Sequence, residues 1–394
     1  MLDKILLFPY YLALKTRHAL YNKGLKKVHR SEVPTVCVGN ITVGGTGKTP
    51  HTEMILRLLL RSNEWGMKDI AVLSRGYKRS SKHFQQVTPE SGAGFAGDEP
   101  AQIKKKFPGI TVAVDADRME GCRFLAHPEE LATDKNGQFC VDKHFRAADL
   151  IVLDDAFQYR ALKADFSVVL IDYNRPLHID SLLPLGSLRD LPERLKEADA
   201  IIVTKCPAAM ESWERVSFLE PLGIDFEPST CFGSLKNGKE MPILFSVINY
   251  CPLEPVFPEH ADNRYSYSPR AILITGIAKA APLARYLSDR FKILRHFDFA
   301  DHHSFSKADI HSIEAAITDN PTATVITTEK DAQRIIDCKY ISDSLKERLF
   351  SIPVEASFLS QKEEVVFTEV MLENSRGVSL CPFPVPGRNN RVRR

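Results

Sequence analysis

Eight consecutive residues, Thr42-Val43-Gly44-Gly45-Thr46-Gly47-Lys48-Thr49, constrain this chain more than any other stretch. They follow an apolar run, Val33-Pro34-Thr35-Val36-Cys37-Val38, that reads as a buried strand. They precede a run from Pro50 through Met54-Ile55-Leu56-Arg57-Leu58-Leu59-Leu60 that reads as a helix. Strand, glycine-rich loop, Gly-Lys-Thr and helix in that order describe a phosphate-binding loop. The glycines let backbone N–H groups converge on phosphate oxygens, and the helix N-terminus adds partial positive charge. Lys48 is placed to reach the β- and γ-phosphates, and the Thr49 hydroxyl to hold Mg²⁺. Pro50 suits a first helical turn, where its missing N–H matters little. The pattern G-x-x-x-x-G-K-[ST] is met except at its first position, which is Thr42.

The rest of the chain is that of an ordinary globular protein: 394 residues, 44% hydrophobic and 26% charged. A net charge of +2 excludes a global polyanion binder, so any basic surface must be local. The eight cysteines (37, 122, 140, 206, 231, 251, 338 and 381) contain no C-x-x-C pair, which suits reduced thiols rather than a disulfide framework or a zinc site. No cleavable secretory signal is visible, and no run approaches the roughly 20 apolar residues that span a bilayer. A cytoplasmic location without a membrane-spanning helix is expected.

Residues 1–30 carry Lys4, Lys15, Arg17, Lys23, Lys26, Lys27 and Arg30 against a single acidic residue, Asp3. Leucines and aromatics (Leu2, Leu6, Phe8, Tyr10, Tyr11, Leu12, Leu14, Tyr21) interleave with them. Such a segment is expected to be an amphipathic helix on an anionic membrane surface, the alternative being a helix packed on the main body. No recognised reading motif accompanies the charge, so nucleic acid is not expected as a partner.

Beyond Arg30, short apolar strands alternate with helical stretches, the habit of a parallel α/β sheet. Strands are expected at 33–38, 70–74, 111–114, 150–154, 166–171 and 200–203, all within one Rossmann-like unit over 31–228. The polar stretch 127–148, with a turn at Asp134-Lys135-Asn136-Gly137, reads as a surface insertion. Irregular, proline-rich sequence over 229–268 reads as a connector. A smaller α/β unit is expected over 269–375, with strands at Ala271-Ile272-Leu273-Ile274-Thr275 and Thr324-Val325-Ile326-Thr327 and a helix near 282–287. The tail 376–394, rich in proline and arginine, is expected to be disordered.

Further elements carry chemistry. Leu150-Ile151-Val152-Leu153-Asp154-Asp155 ends a strand on paired carboxylates, where a phosphate-loop protein supports Mg²⁺. Gly97-Asp98-Glu99-Pro100 is an acidic turn bounded by Gly and Pro, suited to hold a carboxylate that takes a proton from an attacking hydroxyl. Asp301-His302-His303 is a second acid–base cluster; metal binding there is disfavoured, since no third ligand follows at helical spacing. Thr204-Lys205-Cys206-Pro207 has Pro where a guanine-reading element has Asp, so adenine is the expected base.

Taken in order, these pieces resemble the tetraacyldisaccharide 4′-kinase (lipid A 4′-kinase) family. The matching blocks are residues 38–50, Leu73-Ser74-Arg75-Gly76-Tyr77, Gly97-Asp98-Glu99-Pro100, Asp154-Asp155-Ala156-Phe157-Gln158 and Leu183-Pro184-Leu185-Gly186-Ser187-Leu188-Arg189-Asp190. Phe299-Ala300-Asp301-His302-His303 and Thr327-Thr328-Glu329-Lys330-Asp331-Ala332 complete the set. Thr42 agrees with the Ser or Thr this family has at the first loop position. Ala156 stands where Gly is usual, and the family's G-I-x-x-P stretch reads Gly276-Ile277-Ala278-Lys279-Ala280.

The resemblance implies a P-loop kinase with a second, smaller α/β domain. Such an enzyme transfers the ATP γ-phosphoryl group to the 4′-hydroxyl of a lipid-anchored disaccharide 1-phosphate, with Mg²⁺, at the cytoplasmic face of the inner membrane. It further implies that Lys48 and Thr49 hold phosphates and metal, that Asp154 and Asp155 support Mg²⁺ with Gln158 nearby, and that Asp98, tuned by His302, accepts the hydroxyl proton. Tyr77, Glu99, Arg189, Asp190 and Asp301 complete the implied network. On the residues alone, two alternatives stay open: a kinase of a soluble hydroxylated metabolite, and a nucleotide-dependent switch.

Overall fold

The computed structural model describes residues 2–133, 145–236 and 238–376. The turn expected at 134–137 and the tail beyond 376 lie outside the described residues.

Among the described residues, sixteen strands divide between two sheets. The first ten are β1 (Thr35–Asn40), β2 (Ile70–Ser74), β3 (Gln85–Val87), β4 (Thr111–Val114), β5 (Leu150–Asp154), β6 (Phe166–Asp172), β7 (Ala200–Thr204), β8 (Ile224–Glu227), β9 (Phe232–Leu235) and β10 (Glu240–Tyr250). They form the large sheet in the order β3-β4-β2-β5-β1-β6-β7-β10-β9-β8, parallel from β4 to β10. The second sheet is built from β11 (Glu254–Pro255), β12 (Arg270–Thr275), β13 (Lys292–Asp298), β14 (Thr324–Thr328) and β15 (Leu349–Ile352), ordered β11-β15-β14-β12-β13. A last strand, β16 (Val354–Phe358), returns to pair antiparallel with β10.

The central strands are mostly apolar, with a polar residue at each C-terminal end, and are buried end to end, as expected where helices cover both faces of a parallel sheet. On the large sheet those helices include α1 (Leu2–Asn22), α2 (Lys48–Arg61), α3 (Ala93–Ala96), α4 (Asp98–Lys106), α5 (Arg118–Ala126) and α6 (Ser212–Leu219). The second sheet carries α7 (Ala281–Ser288), α8 (Lys307–Asp319), α9 (Glu329–Ile336) and α10 (Asp343–Lys346). The final helix, α11 (Gln361–Ser375), crosses back: Phe367 and Met371 are fully buried against large-sheet residues such as Phe166 and Val168.

The six strands expected in the first unit are present, with β1 displaced toward the phosphate loop. The stretch 229–268 supplies more than a connector. It holds β9 and β10 of the large sheet and β11 of the second. Strand β10 serves two partners: Ile243, Leu244 and Phe245 pair with β7, and Ser246 to Tyr250 pair with β16. Segments after 353 therefore return to the large sheet, which the regular α/β alternation of 269–375 did not reveal. Within 127–148, Phe145 and Ala148 are buried in the large-sheet core. No helix among the described residues is long and apolar enough to cross a membrane.

Candidate functional site

Parallel strands place their C-terminal ends along one edge, and in sheets of this type ligands bind there. Asn40, Ser74, Asp154, Asp172 and Thr204 end β1, β2, β5, β6 and β7. The phosphate loop leaves β1 and enters α2 at Lys48, with Gly44, Gly45 and Gly47 all at positive φ (72°, 23° and 84°). Only glycine adopts such a succession without steric cost. Asn40 braces the loop from inside: its side-chain amide donates to the hydroxyls of Thr42 (3.2 Å) and Thr46 (2.8 Å). That contact is a physical reason for a hydroxyl residue at position 42. From outside, Arg175 donates to the carbonyls of Val43 (3.1 Å) and Gly44 (3.0 Å), Lys205 to that of Gly45, and Thr204 to that of Thr46 (2.9 Å). The Val43 N–H itself donates to the Ser187 carbonyl (2.7 Å), and the carbonyls of Val43 to Thr46 are all engaged by side chains. Lys205, in the stretch whose Pro207 departs from a guanine-reading element, packs on the loop and on Asp172 (2.8 Å).

Burial pushes the Lys48 ammonium below its ordinary value, and Asp155, 3.7 Å away, opposes that shift. Thr49 is buried beside it. Two residues on, buried His51 lies 2.7 Å from the Gly47 carbonyl and 2.8 Å from the Ser246 hydroxyl of β10. Burial pushes this imidazole down to about 4, so it is neutral at ordinary pH.

The paired aspartates diverge. Asp154 is buried and accepts from the hydroxyls of Thr52 (3.1 Å) and Ser74 (3.2 Å). Burial, with the charge of Asp155, pushes its carboxyl up to about 6. Asp155 turns into the left-handed region (φ 49°), which Asp tolerates better than most residues. It pairs with Arg189 and faces Lys48, and those cations overcome burial to hold its carboxyl down. Arg189 also donates to the Asn40 side-chain oxygen, and Gln158 donates to the Asn40 carbonyl.

Across the opening, α4 begins at Asp98 after Gly97, whose φ of 95° belongs to glycine alone. Asp98 Oδ2 lies 2.9 Å from His302 Nδ1 and accepts from Arg334 Nε at 3.0 Å. Burial would raise this carboxyl, but the hydrogen bonds from His302 and Arg334 prevail and hold it at about 2. The other ring nitrogen of His302 is 3.9 Å from Asp301. Tyr77 meets the His302 ring edge-on at 5.4 Å with 59% of its surface open, and Glu99 pairs with Lys330 at 2.5 Å. His302 follows β13 and α9 follows β14, so the second sheet contributes from its own strand ends.

Helix α1 closes a third side. Tyr10 donates to the Arg189 carbonyl (3.1 Å) and Arg17 to that of Gln158 (2.9 Å). His18 lies 2.8 Å from Asp190. The inward residues Leu7, Tyr10, Leu14, Arg17 and Tyr21 repeat at helical spacing, while Phe8 (57%) and Leu12 (51%) are exposed on the far side.

The structure thus assembles Lys48, Thr49, Asp154, Asp155, Gln158 and Arg189 at the loop, and Asp98, Glu99, His302, Asp301 and Tyr77 opposite. Asp190 turns away, to His18 and to Arg194 at 3.3 Å. His303 also turns away, to Asp309 (2.9 Å) and Phe299. Asn40, His51, Arg175 and Arg334 were not singled out from the sequence. Asn40 and His51 bracket the loop, which is the one signal that could have found them. Arg334, in the middle of a helical run, carries none.

Comparison with known proteins bears on this geometry. The family model for tetraacyldisaccharide-1-P 4′-kinase matches residues 4–372. The tetraacyldisaccharide 4′-kinase of Phocaeicola vulgatus is 34% identical over 365 residues, covering 91% of this chain and 92% of its own. That of Parabacteroides distasonis is 36% identical over 377 residues, covering 93% and 92%. The crystal structure of the "apo" form of LpxK from Aquifex aeolicus in complex with ATP shares the fold, with a TM-score of 0.65 and 24% identity over 95% of this chain and 99% of that one.

Proposed function

The chain belongs to the tetraacyldisaccharide-1-P 4′-kinase family, an ATP-dependent phosphotransferase acting on tetraacyldisaccharide 1-phosphate, and from that premise we propose how its residues divide the work. Backbone N–H groups over residues 44–49 and the Lys48 ammonium hold the β- and γ-phosphates of ATP. Arg189, already beside Asp155, adds positive charge where negative charge spreads during transfer.

The donor set fits Mg²⁺. Asp154 and Asp155 are adjacent carboxylates, one of them pushed up to about 6, so a divalent cation relieves their repulsion. Among the described residues no group of three or more His, Cys, Asp or Glu side chains forms a metal cage. Mg²⁺ commonly takes one or two carboxylates and completes its shell with phosphate and water. Thr49, Asp154 and Asp155 would hold it, and it would supply charge neutralisation at the phosphoryl oxygens.

Asp98 accepts the proton of the acceptor 4′-hydroxyl as that oxygen bonds to phosphorus. Its pairing with His302 at 2.9 Å, beside the phosphate loop, is the observation that carries this reading. Asp301 behind His302 orients the imidazole. Exposed Phe8 and Leu12, with the basic residues of 1–30, seat the enzyme peripherally on the anionic cytoplasmic face of the inner membrane, where an acylated substrate lies. The test is transfer of radiolabelled γ-phosphate to lipid A disaccharide 1-phosphate against a soluble sugar acceptor. Label in the lipid, lost in Asp98→Ala, is expected; label only in the soluble sugar overturns the assignment.

A further inference from the structure

The run Glu329-Lys330-Asp331-Ala332 was singled out in the sequence, yet Lys330 holds none of the roles above. Lys330 and Arg334 stand four residues apart on α9 and therefore share one face. That face meets the first turn of α4, where Lys330 Nζ pairs with Glu99 Oε1 at 2.5 Å and Arg334 with Asp98. The pairing reaches from one sheet to the other across the opening. About a third of the Lys330 side chain (34%) remains exposed. Burial disfavours its charge, but Glu99, Asp98 and Asp154 together hold the ammonium above its ordinary value. Its field also reaches Lys48, which it disfavours. Two lysines, one from the phosphate loop and one from the second sheet, therefore both act on the Asp154 carboxylate, each with a carboxylate partner of its own, Asp155 for Lys48 and Glu99 for Lys330.

We propose that Lys330 is a further catalytic residue, a cation carried by the second sheet that contacts an oxygen of the transferring phosphoryl group opposite Lys48. This rests on the kinase reading of the same site. In the step itself the acceptor hydroxyl oxygen bonds to the γ-phosphorus and the bond from that phosphorus to the β,γ-bridging oxygen breaks. The hydroxyl proton passes to Asp98 and ADP leaves with the electron pair. Lys330 gives up no proton. It exchanges Glu99 for a phosphoryl oxygen, donating hydrogen bonds to charge that spreads over three oxygens in the transition state. Glu99 holds the ammonium in reserve between turnovers. A cation mounted on the acceptor half assists transfer only when both halves meet around the substrates.

The test compares the full-length wild type with Lys330→Met, Lys330→Gln and Lys330→Arg. It measures transfer from ATP to the lipid acceptor in detergent micelles, binding of AMP-PNP and of ADP with aluminium fluoride, and thermal unfolding. Lys330→Met is expected to lower kcat about 10²–10³-fold, the loss seen when one transition-state donor is removed. The KM for ATP and the AMP-PNP affinity should stay close to wild type, while aluminium fluoride binding falls in parallel with kcat. Lys330→Arg should recover a large part of the loss. Wild-type aluminium fluoride affinity in Lys330→Met, or an equal fall in AMP-PNP binding, would overturn the proposal. If Lys330→Met melts below the assay temperature, Lys330→Gln is read in its place by the same criteria. Failure of the kinase reading shows separately, as no lipid phosphorylation by the wild type.

Discussion

Arg334 reaches back across 236 residues to donate to Asp98 Oδ2 at 3.0 Å, joining the second sheet to the first turn of α4. The same carboxylate oxygen lies 2.9 Å from His302 Nδ1. Asp98 is thus held ionised by two groups the sequence places far away, and it takes a proton only as those contacts loosen. Asp98→Ala is expected to cut turnover by about 10²–10⁴-fold, the contribution typical of a positioned general base. His302→Ala should act in the same direction but less. A change below about tenfold for Asp98→Ala would remove it from the mechanism.

The same pairing makes stability depend on pH. The Asp98 carboxyl is held at about 2 in the folded protein, below the ordinary value near about 4 that it regains on unfolding. Its contribution is therefore complete above about pH 4 and is lost as pH falls through the interval from about 4 to about 2. The unfolding free energies of wild type and Asp98→Asn, measured from pH 6 downward, should differ by a constant amount until about pH 4 and then converge. A difference that widens below pH 4 would contradict the pairing.

Asp154 behaves oppositely. Burial and Asp155 push it up to about 6, so near that pH a bound cation must displace a proton. Mg²⁺-dependent nucleotide affinity should weaken as pH falls below about 6, approaching tenfold per unit for one displaced proton. In Asp154→Asn the affinity should be lower and this slope should flatten. Titration calorimetry in two buffers of different ionisation enthalpy checks the released proton directly.

Phe8 and Leu12 project from α1 away from the body, so replacing both with Asp should leave the melting temperature within about 2 °C, as for other exposed sites. Flotation with phosphatidylglycerol vesicles should nonetheless be lost. Deleting residues 1–30 should abolish flotation and also destabilise the protein, because Leu14, Arg17 and His18 are docked. Full vesicle binding by the Phe8→Asp/Leu12→Asp variant would place the membrane contact elsewhere.

Gly97 has a φ of 95° and a ψ of 155°, and a Cβ there would come within 3.2 Å of the Gly76 Cα. Gly97→Ala is expected to cost about 1–3 kcal/mol in unfolding free energy, the scale of a strained backbone position. Because Asp98 is the next residue, kcat should fall beyond what the loss of folded protein explains.

Within the large sheet, β3, β8, β9, β10 and β16 were not read. Strands β1, β2, β4, β5, β6 and β7 and the loop after β1 were legible because a central parallel strand buries both faces and reads as a short, nearly unbroken apolar run. Strand β13 was not: in Lys292-Ile293-Leu294-Arg295-His296-Phe297-Asp298 it is an edge strand with exposed positions, and its charges mask the pattern. The double pairing of β10 was illegible for another reason, since nothing local tells a strand that its second half will meet β16. Among site residues, Lys48, Asp154 and Asp98 announced themselves through glycines and strand ends. Arg334 and the outward turn of Asp190 depend on which helix happens to lie opposite, information that resides in tertiary packing alone.

Because Phe367 and Met371 of α11 fill the core of the sheet that carries the phosphate loop, the catalytic half is not finished until nearly the whole chain has left the ribosome. Helix α1 is made well before its anchors, since Gln158 and Asp190 follow more than a hundred residues later. For most of its synthesis the nascent protein therefore carries an undocked α1 beside an unfinished active site. A chain stopped at residue 360 should be readily cleaved by protease and unable to retain nucleotide.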